Sequence, residues 1–263
     1  MRKWLCAGLA LAMLAGAAGC SSTSPQEQLI QKLQNTDKQT IFNKAEALYK
    51  KGKYTEARKL YSFLYDTFPN DPLGHKAALR VADTYYQHKD VSNLTEARLR
   101  YRDFANRFPN DPDRDYALLM LGNTYTKRKL SPDRDLAQTR EALKAYQQLL
   151  ALYPNSKYAP EAKQKLAKVK NILAQHEWRV AEFYARNKVW IATIWRLQYL
   201  KEHYPDYPDM AAVDQMLAKA KKARAQLRKR DRERYEAYLK KHHKKMEKEK
   251  KNAKKADAPS SAH

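Results

Sequence analysis

Between residues 39 and 227 the apolar positions fall at helical spacing and are cut at intervals by the same stop. Phe68-Pro69-Asn70-Asp71, Phe108-Pro109-Asn110-Asp111 and Tyr153-Pro154-Asn155-Ser156 end alike, and Tyr204-Pro205-Asp206 echoes them. A residue before proline is pushed out of the helical region, so each stop closes a helix and opens a turn. The four prolines lie 40, 45 and 51 residues apart. Inside the first unit Ala45, Leu48, Gly52, Tyr54, Ala57, Tyr61 and Leu64 read as two antiparallel helices. Ala45 and Ala57 let them approach, Tyr54 and Tyr61 fill the space between them, and Gly52 ends the first in a left-handed turn. From 157 to 186 an apolar stripe (Leu166, Val169, Ile172, Leu173, Val180, Ala181) predicts one long helix. A further helix follows Pro208 through Met216, Leu217, Ala220 and Leu227.

The unit matches the tetratricopeptide pattern, and a period in this range indicates a helical solenoid. The second unit has Ala82, Tyr85, Ala97, Tyr101 and Phe104, with about three residues inserted near Val91-Ser92-Asn93. The third has Gly122, Tyr125, Ala142, Tyr146 and Leu149, with a larger insertion around Ser131-Pro132-Asp133. The fourth has Ala181, Tyr184, Trp190, Leu197 and Leu200, but Lys188 and Thr193 stand where Gly and Ala are expected. The fold class is therefore all-α: a tetratricopeptide-repeat solenoid of about five helix pairs, over residues 39–227. These pattern residues are packing residues. Function in such solenoids lies on first-helix positions turned away from the seam. Those are Phe42, Glu46, Tyr49 and Lys50 in the first unit, and Leu79, Asp83, Tyr86 and Gln87 in the second. Tyr49 and Tyr86 are equivalent. They either hold an extended peptide or pack between repeats.

Composition narrows the chemistry. The 263 residues contain six glycines, three of them in the first twenty positions. Average usage would give roughly 18. Closely spaced glycines are needed for a dinucleotide or phosphate loop, so neither exists here. There is no HExxH and no GxSxG, and the seven histidines form no ligand set. Asp133-Arg134-Asp135 reads as a salt-bridged loop. No catalytic residue, metal site or cofactor is expected.

Residues 1–19 read as a signal peptide. Arg2 and Lys3 precede an uncharged stretch from Trp4 to Ala18, too short to span a bilayer and suited to export. Ala17-Ala18-Gly19-Cys20 resembles a bacterial lipobox, with Ala17 in place of the usual Leu. Cys20 would be acylated and would head the mature chain, which then carries no thiol. Two or more acyl chains anchor a protein stably. Ser21 and Ser22 stand where bacterial lipoproteins kept in the inner membrane usually have Asp, so the resemblance to such lipoproteins implies the outer membrane, and residues 20–38 read as the acylated end and a polar tether.

Residues 228–263 read as a basic tail, helical or disordered. From Lys219 to Lys255 there are 18 Lys/Arg against five Asp/Glu, which is more than half of the chain's net charge of +23. The export signal argues against nucleic acid. The alternatives are a solvated tail, or attraction to anionic headgroups or acidic partner surface.

Two runs go beyond a generic repeat. One joins Asp133-Arg134-Asp135 to Ala142-Leu143-Lys144-Ala145-Tyr146 and Tyr153-Pro154-Asn155-Ser156-Lys157-Tyr158. The other is Val180-Ala181-Glu182-Phe183-Tyr184 with Lys188-Val189-Trp190-Ile191-Ala192 and Arg196. With the lipobox these resemble the BamD family of outer membrane protein assembly factors, over roughly residues 17–227. The resemblance implies a non-enzymatic scaffold lipoprotein, lipid-anchored on the periplasmic face of the outer membrane. Its implied partners are the periplasmic domains of a central barrel subunit, other lipoproteins of the complex, and unfolded barrel substrates. It implies partner-binding roles for Arg196 and Trp190, and a substrate groove on the first repeats, for which Phe42, Tyr49, Lys50, Asp83 and Tyr86 are the candidates. The basic tail departs from the family pattern. The competing readings are another periplasmic repeat lipoprotein that scaffolds cell-envelope or cell-division proteins, and an enzyme with an unrecognised site.

Overall fold

A computed structural model describes residues 33, 35–88, 90–128, 131–132 and 136–256. The signal peptide, Cys20, Asp133-Arg134-Asp135 and the last seven residues lie outside this set. Among the described residues there are nine helices and no strand. They are α1 (Lys38–Lys50), α2 (Tyr54–Thr67), α3 (Pro72–Tyr86), α4 (Val91–Arg107), α5 (Arg114–Thr126), α6 (Ala137–Leu152), α7 (Ala159–Arg186), α8 (Trp190–His203) and α9 (Met210–Ala256). The all-α tetratricopeptide-like class expected from the repeats is the class observed. The chain forms two units, one through His88 and one from Lys89.

In the first unit α2 packs on both α1 and α3. Ile41, Ala45, Ala57, Leu60, Tyr61, Leu64, Ala77 and Val81 form its core. Asp37 caps α1 by accepting from the Thr40 N–H at 3.0 Å, and Asp71 caps α3 by accepting from Leu73 at 2.8 Å. Each supplies an acceptor to a helix-end donor that has none within the helix. Pro72 follows Asp71 at the first turn of α3, where its missing N–H costs nothing. Gly74 lies against the preceding stop: a Cβ there would sit 1.9 Å from the Phe68 carbonyl oxygen.

In the second unit successive helices from α4 to α9 pack on their neighbours. The predicted long helix is α7, one piece of 28 residues shared between α6 and α8. A C-terminal core gathers Ala174, Ala181, Ile194, Leu197, Leu200, Val213, Leu217 and Ala220. The residues expected as an insertion in the second repeat's turn are instead the first turn of α4. Asp90 precedes them and accepts from the Asn93 N–H at 2.9 Å, so a capped helix start replaces the loop.

The repeat punctuation has one geometry throughout. Phe68, Phe108, Tyr153 and Tyr204 end α2, α4, α6 and α8 with φ between −119° and −135°, each before a proline. Each N–H still donates to the carbonyl four residues back, at Leu64, Phe104, Leu149 and Leu200. Gly52 has φ 73°, as the turn requires. Lys188, at the corresponding place in the fourth repeat, takes the same left-handed conformation with φ 58°.

The tail expected as helical or disordered is helical to Ala256, continuous with the packed start of α9. Ala220 is its last fully buried residue, and every described side chain from Ala225 to Lys248 is exposed.

Candidate functional site

The first-helix face of the first unit is a polar network built over an apolar seam. Ala45 places Glu46 on α1 beside the buried Tyr61 of α2, whose hydroxyl donates to Glu46 Oε1 at 2.7 Å. Arg80 of α3 reaches the same oxygen through Nε at 2.7 Å and donates from Nη1 to Asp83 at 3.0 Å. Asp83 is buried, so its charge is held by that guanidinium. Burial disfavours the cation of Arg80, but Asp83 and Glu46 outweigh it and hold its pKa above the ordinary value. Burial and the bond to Glu46 push the Tyr61 hydroxyl up, so it stays protonated and donates. Tyr49 is pushed up by burial and by Asp83. Its oxygen accepts from Gln87 Nε2 at 2.6 Å, and the Arg80 guanidinium lies 5.6 Å from its ring centre.

Of the groove candidates, this face therefore brings together Tyr49 and Asp83, linked through Arg80. Phe42 is half-buried and meets the Tyr61 ring edge-on at 5.6 Å. Lys50 is exposed in the last turn of α1, and Tyr86 is half-buried at the end of α3.

Arg196 and Trp190 belong to the second unit. Arg196 Nη1 donates to Glu177 Oε2 at 2.9 Å. The Glu177 side chain is 7% exposed and that of Arg196 43%. Arg196 thus neutralises a buried carboxylate on α7 while keeping much of its surface in solvent. Leu173, Glu177 and Ala181 recur four residues apart on the buried face of α7, so the acid occupies a core position. Burial, Tyr199 and Glu177 push the nearby Tyr204 hydroxyl up to about 12. Trp190 packs partly on the C-terminal core and borders a shallow groove between α8 and α9, with Leu227 and Arg230 on the far side.

Two features were missed in the sequence. One is Glu177, whose signal was an acid on an apolar stripe. The other is Trp195, 70% exposed, beside Lys221, Arg224 and Arg228 in a second groove between α8 and α9. Its signal was that α8 carries more apolar residues than one buried face needs: Ile191 is also exposed. Among the described residues no His, Cys, Asp and Glu cluster could hold a metal, and no helix is long and apolar enough to cross a membrane.

A helix-pair repeat with a polar first-helix face and exposed aromatic and basic side chains at its last pairs defines an all-α protein of the tetratricopeptide type. Residues 34–239 match the YfiO family of outer membrane lipoproteins, and the chain belongs to that family. It is 30% identical over 175 residues to the outer membrane protein assembly factor BamD of Xylella fastidiosa, covering 64% of this chain and 60% of that protein. It is 28% identical over 208 residues to BamD of Neisseria gonorrhoeae, covering 76% and 77%. To BamD of Vibrio cholerae it is 42% identical over 74 residues, covering 28% and 31%. The chain spans about three fifths of the length of the first of these relatives.

Proposed function

We propose that this chain is a non-enzymatic scaffold lipoprotein of the machinery that assembles β-barrel proteins in the outer membrane. The observation that carries this reading is the family match across the repeats together with relatives named as outer membrane protein assembly factors. Acylated Cys20 tethers it to the periplasmic face of that membrane. Its later repeats dock on periplasmic domains of the central barrel subunit, and its first repeats receive unfolded barrel substrates. The half-exposed Tyr49 ring and Arg80 guanidinium suit an extended peptide, since Glu46 and the buried Asp83 hold Arg80 in place before the ligand arrives. Lys50, Phe42 and Tyr86 border them.

Arg196 and Trp190 form part of the docking surface. The solvent-facing part of the guanidinium is available to a partner while Glu177 fixes its position. Arg196→Gln with Glu177→Gln removes the guanidinium and the buried carboxylate together, so it should weaken capture of the periplasmic domains without leaving an uncompensated charge in the core. Undiminished capture would remove Arg196 from the interface.

The decisive experiment is affinity purification of the tagged chain from detergent-solubilised outer membranes. Recovery of a barrel protein with periplasmic domains supports the proposal. Recovery of cell-division or peptidoglycan-associated proteins alone would favour the other scaffolding role. Anchoring is tested apart from partners: Cys20→Ala should leave the chain uncleaved or release it from the outer-membrane fraction.

A further inference from the structure

The exposed half of α9 has features that the scaffold role does not use. Residues 228–255 contain fourteen Lys/Arg and five Asp/Glu. Its exposed large apolar side chains do not scatter. Tyr235, Tyr238, Leu239 and Met246 are all exposed, and at about 100° per residue they fall within a sector of about 100° that holds no charged residue between 235 and 246. His242 lies in the same sector, and its ring tilts against that of Tyr238 at 5.1 Å between centres. A stripe of this kind on a soluble helix is normally buried against a neighbour. Here no described element covers it beyond the start of α9.

We infer that this segment is an interfacial helix that lies on an anionic phospholipid surface. A basic helix with a narrow apolar stripe sinks that stripe to the headgroup level, while long Lys and Arg side chains reach the phosphates. Tyrosine suits this depth, with an apolar ring below and a hydroxyl in the polar layer. A second copy of the chain is a poor occupant, since the two basic helices would repel each other. An acidic protein has the right charge. The choice of lipid over protein rests on the proposed attachment through Cys20, which holds the chain at a membrane. The stripe extends along about 17 Å of helix at 1.5 Å per residue, a flat footprint suited to a bilayer.

The test uses residues 21–263, which keep every described helix and lack both cysteines, so neither lipid nor signal peptide contributes. Binding to phosphatidylglycerol-containing vesicles is measured by co-sedimentation, with pure phosphatidylcholine as reference. Tyr235→Gln, Tyr238→Gln, Leu239→Gln and Met246→Gln together keep charge and helix propensity but remove the stripe, and should weaken binding by about tenfold. Lys240→Gln, Lys241→Gln, Lys244→Gln and Lys245→Gln together should weaken binding as well and flatten its salt dependence. A polarity-sensitive dye on Met246→Cys should shift to the blue on the vesicles, whereas the same dye on Lys248→Cys, which lies on the opposite side, should not. Equal dye responses, or a stripe variant that binds like the parent, would reduce the effect to plain charge attraction and overturn the inference. Absence of vesicle binding, with salt-sensitive binding to soluble polyglutamate, would assign the helix to an acidic protein instead. The anchoring claim is read by fractionation of Cys20→Ala and stands or falls separately.

Discussion

The first and fourth repeats solve the same packing problem with opposite chemistry. Tyr61 and Leu197 are equivalent positions on the second helix, and both are fully buried. Tyrosine brings a hydroxyl into the seam, and the residue after the small Ala45 is accordingly an acceptor, Glu46. The third repeat repeats the device: Gly122 makes room for Tyr146, and Asn123 accepts its hydroxyl at 2.9 Å. Leucine needs no acceptor. The polar side chains buried around it are Thr193, whose hydroxyl donates to the Val189 carbonyl of its own helix, and Glu177, which meets Arg196. The repeat code therefore fixes size at the seam, while polarity is free to vary and is tied to local partners. Buried charge sits on the first-helix face, at Asp83, in one unit and at Glu177 in the other.

The largest test of this contrast is Arg196→Glu. It removes the partner of a buried carboxylate and sets a like charge beside it, which should cost about 3–5 kcal/mol. The urea midpoint reads it. Arg196→Met with Glu177→Met should recover most of the loss, because an apolar pair fits an apolar core edge. A midpoint unchanged in Arg196→Glu would mean that Glu177 is already solvated.

Gly122→Ala comes next. A Cβ would fall 2.3 Å from the Tyr146 ring, and that ring is fully buried, so overpacking should cost about 1–3 kcal/mol. Pairing it with Tyr146→Leu, the fourth repeat's solution, should return part of that in thermal melts. No recovery would show that the space is limited by something other than the tyrosine.

The two buried hydroxyls then differ in a measurable way. Tyr146→Phe leaves the nearly buried Asn123 carbonyl oxygen without its donor, whereas after Tyr61→Phe the Glu46 carboxylate keeps Arg80. The expected cost is about 2 kcal/mol for the first and about 1 kcal/mol for the second. Tyr61→Phe should also change the alkaline limb. The folded pKa of Tyr61 is raised above its ordinary 10.0, so its contribution is complete below that pH. It is lost as pH rises further, because the unfolded chain ionises first. The phenylalanine variant should lose stability less steeply above that point in denaturant titrations. Parallel slopes in the two proteins would contradict the proposed hydrogen-bonded state.

The smallest effect is at the turns. Lys188 holds a left-handed conformation that glycine adopts without strain, so Lys188→Gly should stabilise by about 1 kcal/mol, and Gly52→Ala should destabilise by a similar amount. Differential scanning calorimetry of both variants decides whether the two turns are equivalent.

Much of this architecture was legible in the sequence because repeats report themselves. Small residues, tyrosines and aromatic–proline stops recur in phase, and the helix from 159 to 186 follows from an uninterrupted stripe. Lys188 broke the pattern by identity but not by conformation. The register carried that information, whereas residue type alone did not. The sites were less legible. Whether Tyr49 faces a ligand or a neighbour depends on which side chain at the end of α3 meets it, and Gln87, just past that end, lies 38 residues away in sequence. The Arg196–Glu177 pair spans two helices and shows in one chain only as an acid on an apolar face. Trp195 escaped because a repeat pattern marks buried positions and says nothing of exposed ones.

The shared helix α7 has a consequence for how the molecule comes apart. In an array of separate helix pairs, unfolding can stop at any boundary, and each repeat acts as a nearly independent link. The 28 residues of α7 pack on both α6 and α8, so no link ends between Tyr158 and Arg186. Fraying from either side must melt a continuous rod before it reaches the next boundary. Amide exchange across the third and fourth repeats should therefore proceed as a single cooperative block, and proteases should find no stable stopping point within it.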